Sequence, residues 1–183
     1  MGQRLCLEIY RKMDDEQPFA LIYYHWSAYT ECLFQEVADL VKGIPESTES
    51  LSDKELAQVL ISFVEERGGG VSKEDHNYLF ETYGIKNLAQ DMSRNDGILS
   101  FSEEEMGEFY SWGEGFSSIC LKEGVFSDGL SIEIDCIPSE YAGTIPTLPQ
   151  NEGWFNLSDV EELSKLVLNT EYYKVGNSYF ECF

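Results

Sequence analysis

Leu5, Leu7 and Ile9 recur at every second position across residues 3–10, the period of a β-strand with one buried face. The polar stretch RKMDDEQP reads as a turn, and a second strand is predicted from Phe19 to Trp26, making an antiparallel hairpin with the first. Both faces of this second strand are largely apolar. Phe19, Leu21 and Tyr23 lie on one and Ala20, Ile22, Tyr24 and Trp26 on the other, which suits a central strand covered on both sides. The period then lengthens. Leu33, Val37, Leu40 and Val41 fall close to one face of a helix predicted over residues 28–42 and stopped at Gly43.

After the polar loop IPESTES, Ser52 and Glu55 have the spacing of a capping box, with Leu51 and Leu56 as the hydrophobic staple around it. Leu56, Val59, Leu60, Phe63 and Val64 then repeat at helical spacing until Gly68-Gly69-Gly70 ends the helix. A shorter helix is expected after Ser72, with Asp75 at its third position, stopping before Gly84. Ser102 with Glu105 begins another helix, and Ser158 with Glu161 the last. Ile98 to Phe101 reads as a short strand, and Leu130, Ile132, Ile134 and Cys136 alternate as another. Residues 138–149 form a loop with three prolines, and EYYKVGNSYFECF reads as a hairpin turning at Gly176-Asn177.

The fold class is therefore α+β: an N-terminal β-hairpin followed by helices, with further strands and a C-terminal β-hairpin. The polar segment near residues 84–97 allows a division into an N-terminal α+β part, 1–90, and a C-terminal α+β part, 91–183; a single domain is equally compatible with 183 residues.

Charge changes the picture more than composition does. With 34 Asp and Glu against 12 Lys and Arg, the formal net charge is −22. Such a chain repels phosphate backbones and anionic membranes, so direct binding to free nucleic acid or to a membrane is not expected, whereas basic partners are. The acid is spread along the chain, and residues 101–150 hold ten carboxylates against Lys122 alone. The five cysteines, Cys6, Cys32, Cys120, Cys136 and Cys182, include no CxxC pair, which removes zinc-ribbon and thioredoxin readings. Cys6 and Cys136 are expected to be buried apolar fillers, and reduced thiols imply a cytosolic protein. The opening MGQRLCLEIY lacks a signal peptide's cleavage region, and no apolar run is long enough to span a bilayer, so a cytoplasmic location is expected.

Candidate chemistry concentrates in a few places. In YYHWSAYT, Ser27 sits at a strand-to-helix turn, where a nucleophile elbow would place a serine, but His25 and Tyr29 are too bulky for that strained backbone. Ser27 is read as a helix N-cap, and His25 as a core histidine donating to a carbonyl. In DMSRNDGILSFSEEE, taking Gly97 and Glu103 as the sixth and twelfth positions of a calcium loop puts Met92 first and Arg94 third, where carboxylates are needed. A turn at Asp96-Gly97 is the simpler reading. Gly68-Gly69-Gly70 lacks the Lys-Ser of a phosphate-binding loop, and Glu133 with Asp135 lacks the nearby lysine of a metal nuclease, since Ile137 stands there. No metal or other cofactor is expected.

Two acidic clusters remain: Asp14, Asp15 and Glu16 on the first turn, and Glu103, Glu104, Glu105 and Glu108 on the opening of a helix. The helix dipole accommodates one or two such acids, and four exceed that need. Trp112 follows closely, so acid and aromatic groups can share a surface suited to arginine-rich grooves. These eight residues are the candidate partner-binding set. The alternative is a hydrolase or nuclease acting on RNA through dispersed carboxylates and His25.

QRLCLEIY followed by FALIYYHWSAYTECLFQEVADLV resembles the N-terminal segment of small proteins encoded by phages and prophages of Gram-positive bacteria, over about the first quarter of the chain. In overall size and acidity the chain is similar to the type II-A anti-CRISPR proteins, which inhibit Cas9. That resemblance implies binding to Cas9 or to its guide-RNA complex, whose channel is positively charged.

Overall fold

The computed structural model describes residues 3–28, 30–90, 92–127 and 154–167. The strand expected at 130–136, the proline loop, the C-terminal hairpin, Glu133, Asp135, Cys136 and Cys182 lie outside the described residues. Within them the chain is α+β: helices packed on a seven-stranded mixed sheet of order β3-β4-β2-β1-β5-β6-β7. The strands are β1 (Leu5–Tyr10), β2 (Ala20–Tyr24), β3 (Gly70–Val71), β4 (Ile98–Ser100), β5 (Gly115–Cys120), β6 (Val125–Ser127) and β7 (Trp154–Asn156). The helices are α1 (Thr30–Gly43), α2 (Asp53–Glu66), α3 (Asp75–Tyr83), α4 (Glu103–Trp112) and α5 (Val160–Val167). Strands from both sides of residue 90 belong to the one sheet. No helix among the described residues is long and apolar enough to cross a membrane.

The alternation read in the first strands becomes the two faces of this sheet. Leu5, Leu7 and Ile9 of β1 and Ala20, Ile22 and Tyr24 of β2 pack with α1, α2 and α5 in the main core. Cys6, Leu21, Tyr23 and Ile98 face the other way, against Met106 and Phe109 of α4. β2 is buried along its whole length because it has cover on both faces and a partner on both edges, β1 and β4, each antiparallel to it. Phe19 and Trp26 fall outside the strand. Trp26 is 48% exposed rather than part of a buried face, because β2 ends at Tyr24 and the chain turns away to α1.

The turn into α1 also differs from expectation. The helix begins at Thr30 rather than directly after Ser27, and the buried Ser27 hydroxyl donates to Oε1 of Glu36 at 3.4 Å. Glu36 is itself almost fully buried and is held by Arg67 (2.6 Å), whose second guanidinium nitrogen meets Asp39 at 2.8 Å. A polar cluster therefore ties α1 to the end of α2, where periodicity alone gave only an apolar stripe.

α2 forms as its spacing predicts. The Ser52 hydroxyl accepts from the Glu55 N–H, and the Glu55 carboxylate accepts from the Ser52 N–H at 2.8 Å. The three glycines that end it do more than stop a helix. A side chain at Gly69 would strike the backbone carbonyls of Asp96 and Gly97, so the glycine allows β3 to begin directly against the 96–97 turn. At the other end of the chain the Ser158–Glu161 pair does not cap. A single 3-10 turn, Leu157–Asp159, takes Ser158 inside it, and α5 starts at Val160.

Candidate functional site

β3 pairs in parallel with β4, bringing Ser72 just beyond one strand next to the helix that follows the other. The Ser102 hydroxyl caps α4 by accepting the Glu105 N–H, as the spacing predicts. The reciprocal half of the capping box is taken by a different residue. Asp75, fully buried at the first position of α3, accepts the Phe101 N–H at 2.6 Å, the Ser102 N–H and the Ser102 hydroxyl. The helix expected after Ser72 with Asp75 third begins at Asp75 itself, and this residue's carboxylate anchors the N-terminus of α4.

With Asp75 in that place, the Glu105 side chain turns elsewhere. The Ser72 hydroxyl lies 2.7 Å from Oε2 of Glu74 and 2.5 Å from Oε1 of Glu105. A hydroxyl has one proton to donate, so it cannot satisfy two carboxylates. The two acids diverge because their surroundings differ. The Ser72 bond holds the Glu74 carboxyl below the usual range. Burial pushes Glu105 up; the Ser72 bond opposes this, and Glu74, Asp75 and Glu108 add to it. Where Glu105 carries its proton it can donate to the Ser72 oxygen while Ser72 donates to Glu74; once Glu105 is ionised, the single Ser72 proton serves only one of the two carboxylates.

Beside this trio opens a groove of about 680 Å³ between α4, the start of α3 and the loop before β4. Glu104, Glu105, Glu108, Phe109 and Trp112 line one wall, as helical spacing allows, and Ser72, Lys73, Glu74, Gln90, Met92, Arg94 and Ile98 complete it. Glu103 is exposed but does not line it. Glu104 and Glu108 stand one turn apart, a like-charge spacing that weakens a helix by a few tenths of a kcal/mol. No cation among the described residues forms an ion pair with Glu104, Glu105 or Glu108.

The aromatic end of the groove is rigidly held. Tyr23 stacks on Phe109 with centroids 4.9 Å apart, and Trp112 meets both edge-on, at 6.0 Å from Tyr23 and 5.5 Å from Phe109. The Arg94 guanidinium sits over the Trp112 ring, 6.0 Å from its centroid. On the flank of α4 turned to the sheet, Glu8 accepts the Tyr110 hydroxyl at 2.5 Å and the Ser118 hydroxyl at 2.6 Å, fixing the helix in place. The Cys6 thiol, pushed up to about 12 by burial and then by Glu8, donates to the Phe109 carbonyl.

Of the eight residues singled out by sequence, Glu104, Glu105, Glu108 and Trp112 meet at this groove and Glu103 stands beside it. Asp14, Asp15 and Glu16 lie on the β1–β2 turn and do not line it. There Lys12 pairs with Asp14 at 3.3 Å and Asp15 at 3.7 Å, so that cluster is partly neutralised from within. Ser72, Lys73, Glu74 and Arg94 carry no sequence signal for the groove, because they reach it only through the β3–β4 pairing. His25 is half-buried: its Nδ1 lies 3.1 Å from the Tyr23 hydroxyl, and its backbone N–H, rather than its ring, donates to a carbonyl, that of Arg94. The segment read against the calcium loop turns at 94–96 and enters β4, and no three His, Cys, Asp or Glu side chains among the described residues are grouped to hold a metal ion. No family model, curated protein or solved structure matches the chain.

Proposed function

We propose that the chain is an acidic inhibitor protein that binds Cas9 or its guide-RNA complex through the α4 groove, acting in the cytoplasm of a bacterial host as a phage- or prophage-encoded product. The observation that carries this reading is the groove itself, three carboxylates without a cationic partner among the described residues beside a fixed tryptophan, in a chain of net charge −22. An acidic surface with an aromatic platform suits a channel built of arginine and lysine to hold nucleic acid. The anti-CRISPR resemblance supplies the identity of the partner.

The test is co-elution of the purified chain with a type II-A Cas9, with and without guide RNA, alongside target-DNA cleavage. Binding should weaken as salt rises, and Glu104→Lys with Glu108→Lys should reduce it by about tenfold or more, as expected for reversing two contacting charges. Absence of co-elution at every salt concentration would remove Cas9 as the partner.

A second reading, a hydrolase acting on RNA, has one observation in its favour: Glu74 and Glu105 are driven apart in proton affinity around Ser72, the pattern of an acid–base pair. His25 adds nothing to it, since its ring partner is Tyr23. Guide RNA cleaved by substoichiometric chain, and spared by Glu105→Ala, would favour this reading over inhibition by binding.

A further inference from the structure

Arg94 shows what kind of cation the groove accepts. Its side chain is exposed and forms no ion pair among the described residues, yet its guanidinium lies over the face of Trp112 rather than against a carboxylate. The carbonyl of the same residue accepts the His25 N–H at 3.0 Å, so the loop that delivers the side chain is tied to the end of β2. Trp112 is braced edge-on by Tyr23 and Phe109, leaving its face as the surface on which a flat cation can lie. Beyond that face the groove has room for much more than one side chain, and its free charge is negative.

A guanidinium matches this surroundings better than an ammonium. It is planar, weakly hydrated, stacks on an indole and can fork to a carboxylate while stacked; an ammonium is a strongly hydrated point charge that gains only the charge attraction. We infer that the groove is an arginine-capture site, in which one arginine of an extended basic segment of the protein partner lies on Trp112, forks to Glu104 or Glu108, and displaces Arg94, the chain's own occupant of the platform. The complementarity of a negative groove to a basic segment selects this occupant over nucleic acid. This rests on the reading that the groove is where the partner binds.

The experiment uses the full chain, ¹⁵N-labelled, titrated at constant ionic strength with two capped tripeptides, Gly-Arg-Gly and Gly-Lys-Gly. The indole N–H signal of Trp112 is the readout, assigned from Trp112→Phe. The arginine peptide should shift that signal saturably and bind about fivefold or more tightly than the lysine peptide, the scale of a cation–π contact at a solvent-exposed site. Arg94→Gln, a change at an exposed side chain, should tighten the arginine peptide by about two- to fivefold because the internal competitor is gone. Glu104→Gln with Glu108→Gln should weaken both peptides. Equal binding of the two peptides, an unmoved Trp112 signal, or weaker binding by Arg94→Gln would each overturn the capture site. Cas9 co-elution of the same variants separates the two proposals. Arginine-selective binding without Cas9 binding removes Cas9 and leaves the capture site standing. Cas9 binding with no arginine selectivity at Trp112 removes the capture site and leaves the inhibitor reading standing.

Discussion

Glu105 is the residue whose protonation links the fold to pH. Its folded pKa is raised, mainly by burial, so the stability it adds as a protonated donor is fully present below its unfolded value, about 4.3, and is lost as pH rises through the folded value. Glu74 works in the opposite sense: its depressed carboxyl contributes stability above the unfolded value that is lost on acidification. In Glu105→Gln the amide N–H replaces the acid proton and donates to Ser72 at every pH. That variant should match the parent in urea unfolding at pH 4 and exceed it by a few tenths of a kcal/mol at pH 7.5, a size set by partly exposed carboxylates. A Glu105→Gln that loses stability on going from pH 4 to 7.5 relative to the parent would mean the serine donates to Glu105 instead. None of this was legible from residue spacing. Ser102–Glu105 has the letter pattern of a capping box, and only the fully buried Asp75, from another helix, diverts Glu105 to Ser72. Trp112 was legible because it follows the acids at helical spacing, whereas Arg94 reads from sequence as the wrong residue in a calcium loop.

At the scale of elements, caps and periodicity recovered what depends on neighbours in sequence, and pairing partners stayed hidden. β1, β2, β4 and α2 follow directly from alternation and capping. β5 does not, because its sequence GFSSIC buries Ser117 and half-buries Ser118, whose hydroxyls bond the Ser127 carbonyl and Glu8 instead of breaking the strand. β3 has only two residues and exists because Gly69 lets the backbones approach. The two serines read as caps give a direct comparison. Ser52→Ala removes a formed capping box and should cost about 1 kcal/mol of unfolding free energy. Ser158→Ala alters an exposed position inside a 3-10 turn and should stay within about 0.5 kcal/mol of the parent. Equal losses in the two variants, measured by urea unfolding, would show that α5 begins at Ser158 in solution.

For the whole molecule, a charge of −22 makes the fold and any complex respond to salt with opposite signs. Within the chain the carboxylates mostly repel one another, and compacting them costs free energy that added ions relieve. Attractive pairs such as Arg67 with Glu36 and Asp39 are partly buried and are screened less than the exposed repulsions. Raising salt from about 0.02 M to about 0.5 M, which shortens the screening length several-fold, should therefore raise the melting temperature by several degrees. The same change should weaken capture of a basic partner, whose attraction to the groove crosses water-exposed distances. The two slopes have a common origin, so a charge reversal at Glu104 and Glu108 should flatten both: it relieves repulsion within α4 at low salt and removes the attraction that salt would otherwise screen. A melting temperature that falls with salt would mean that exposed ion pairs such as Lys12 with Asp14 and Lys165 with Glu161 dominate the surface.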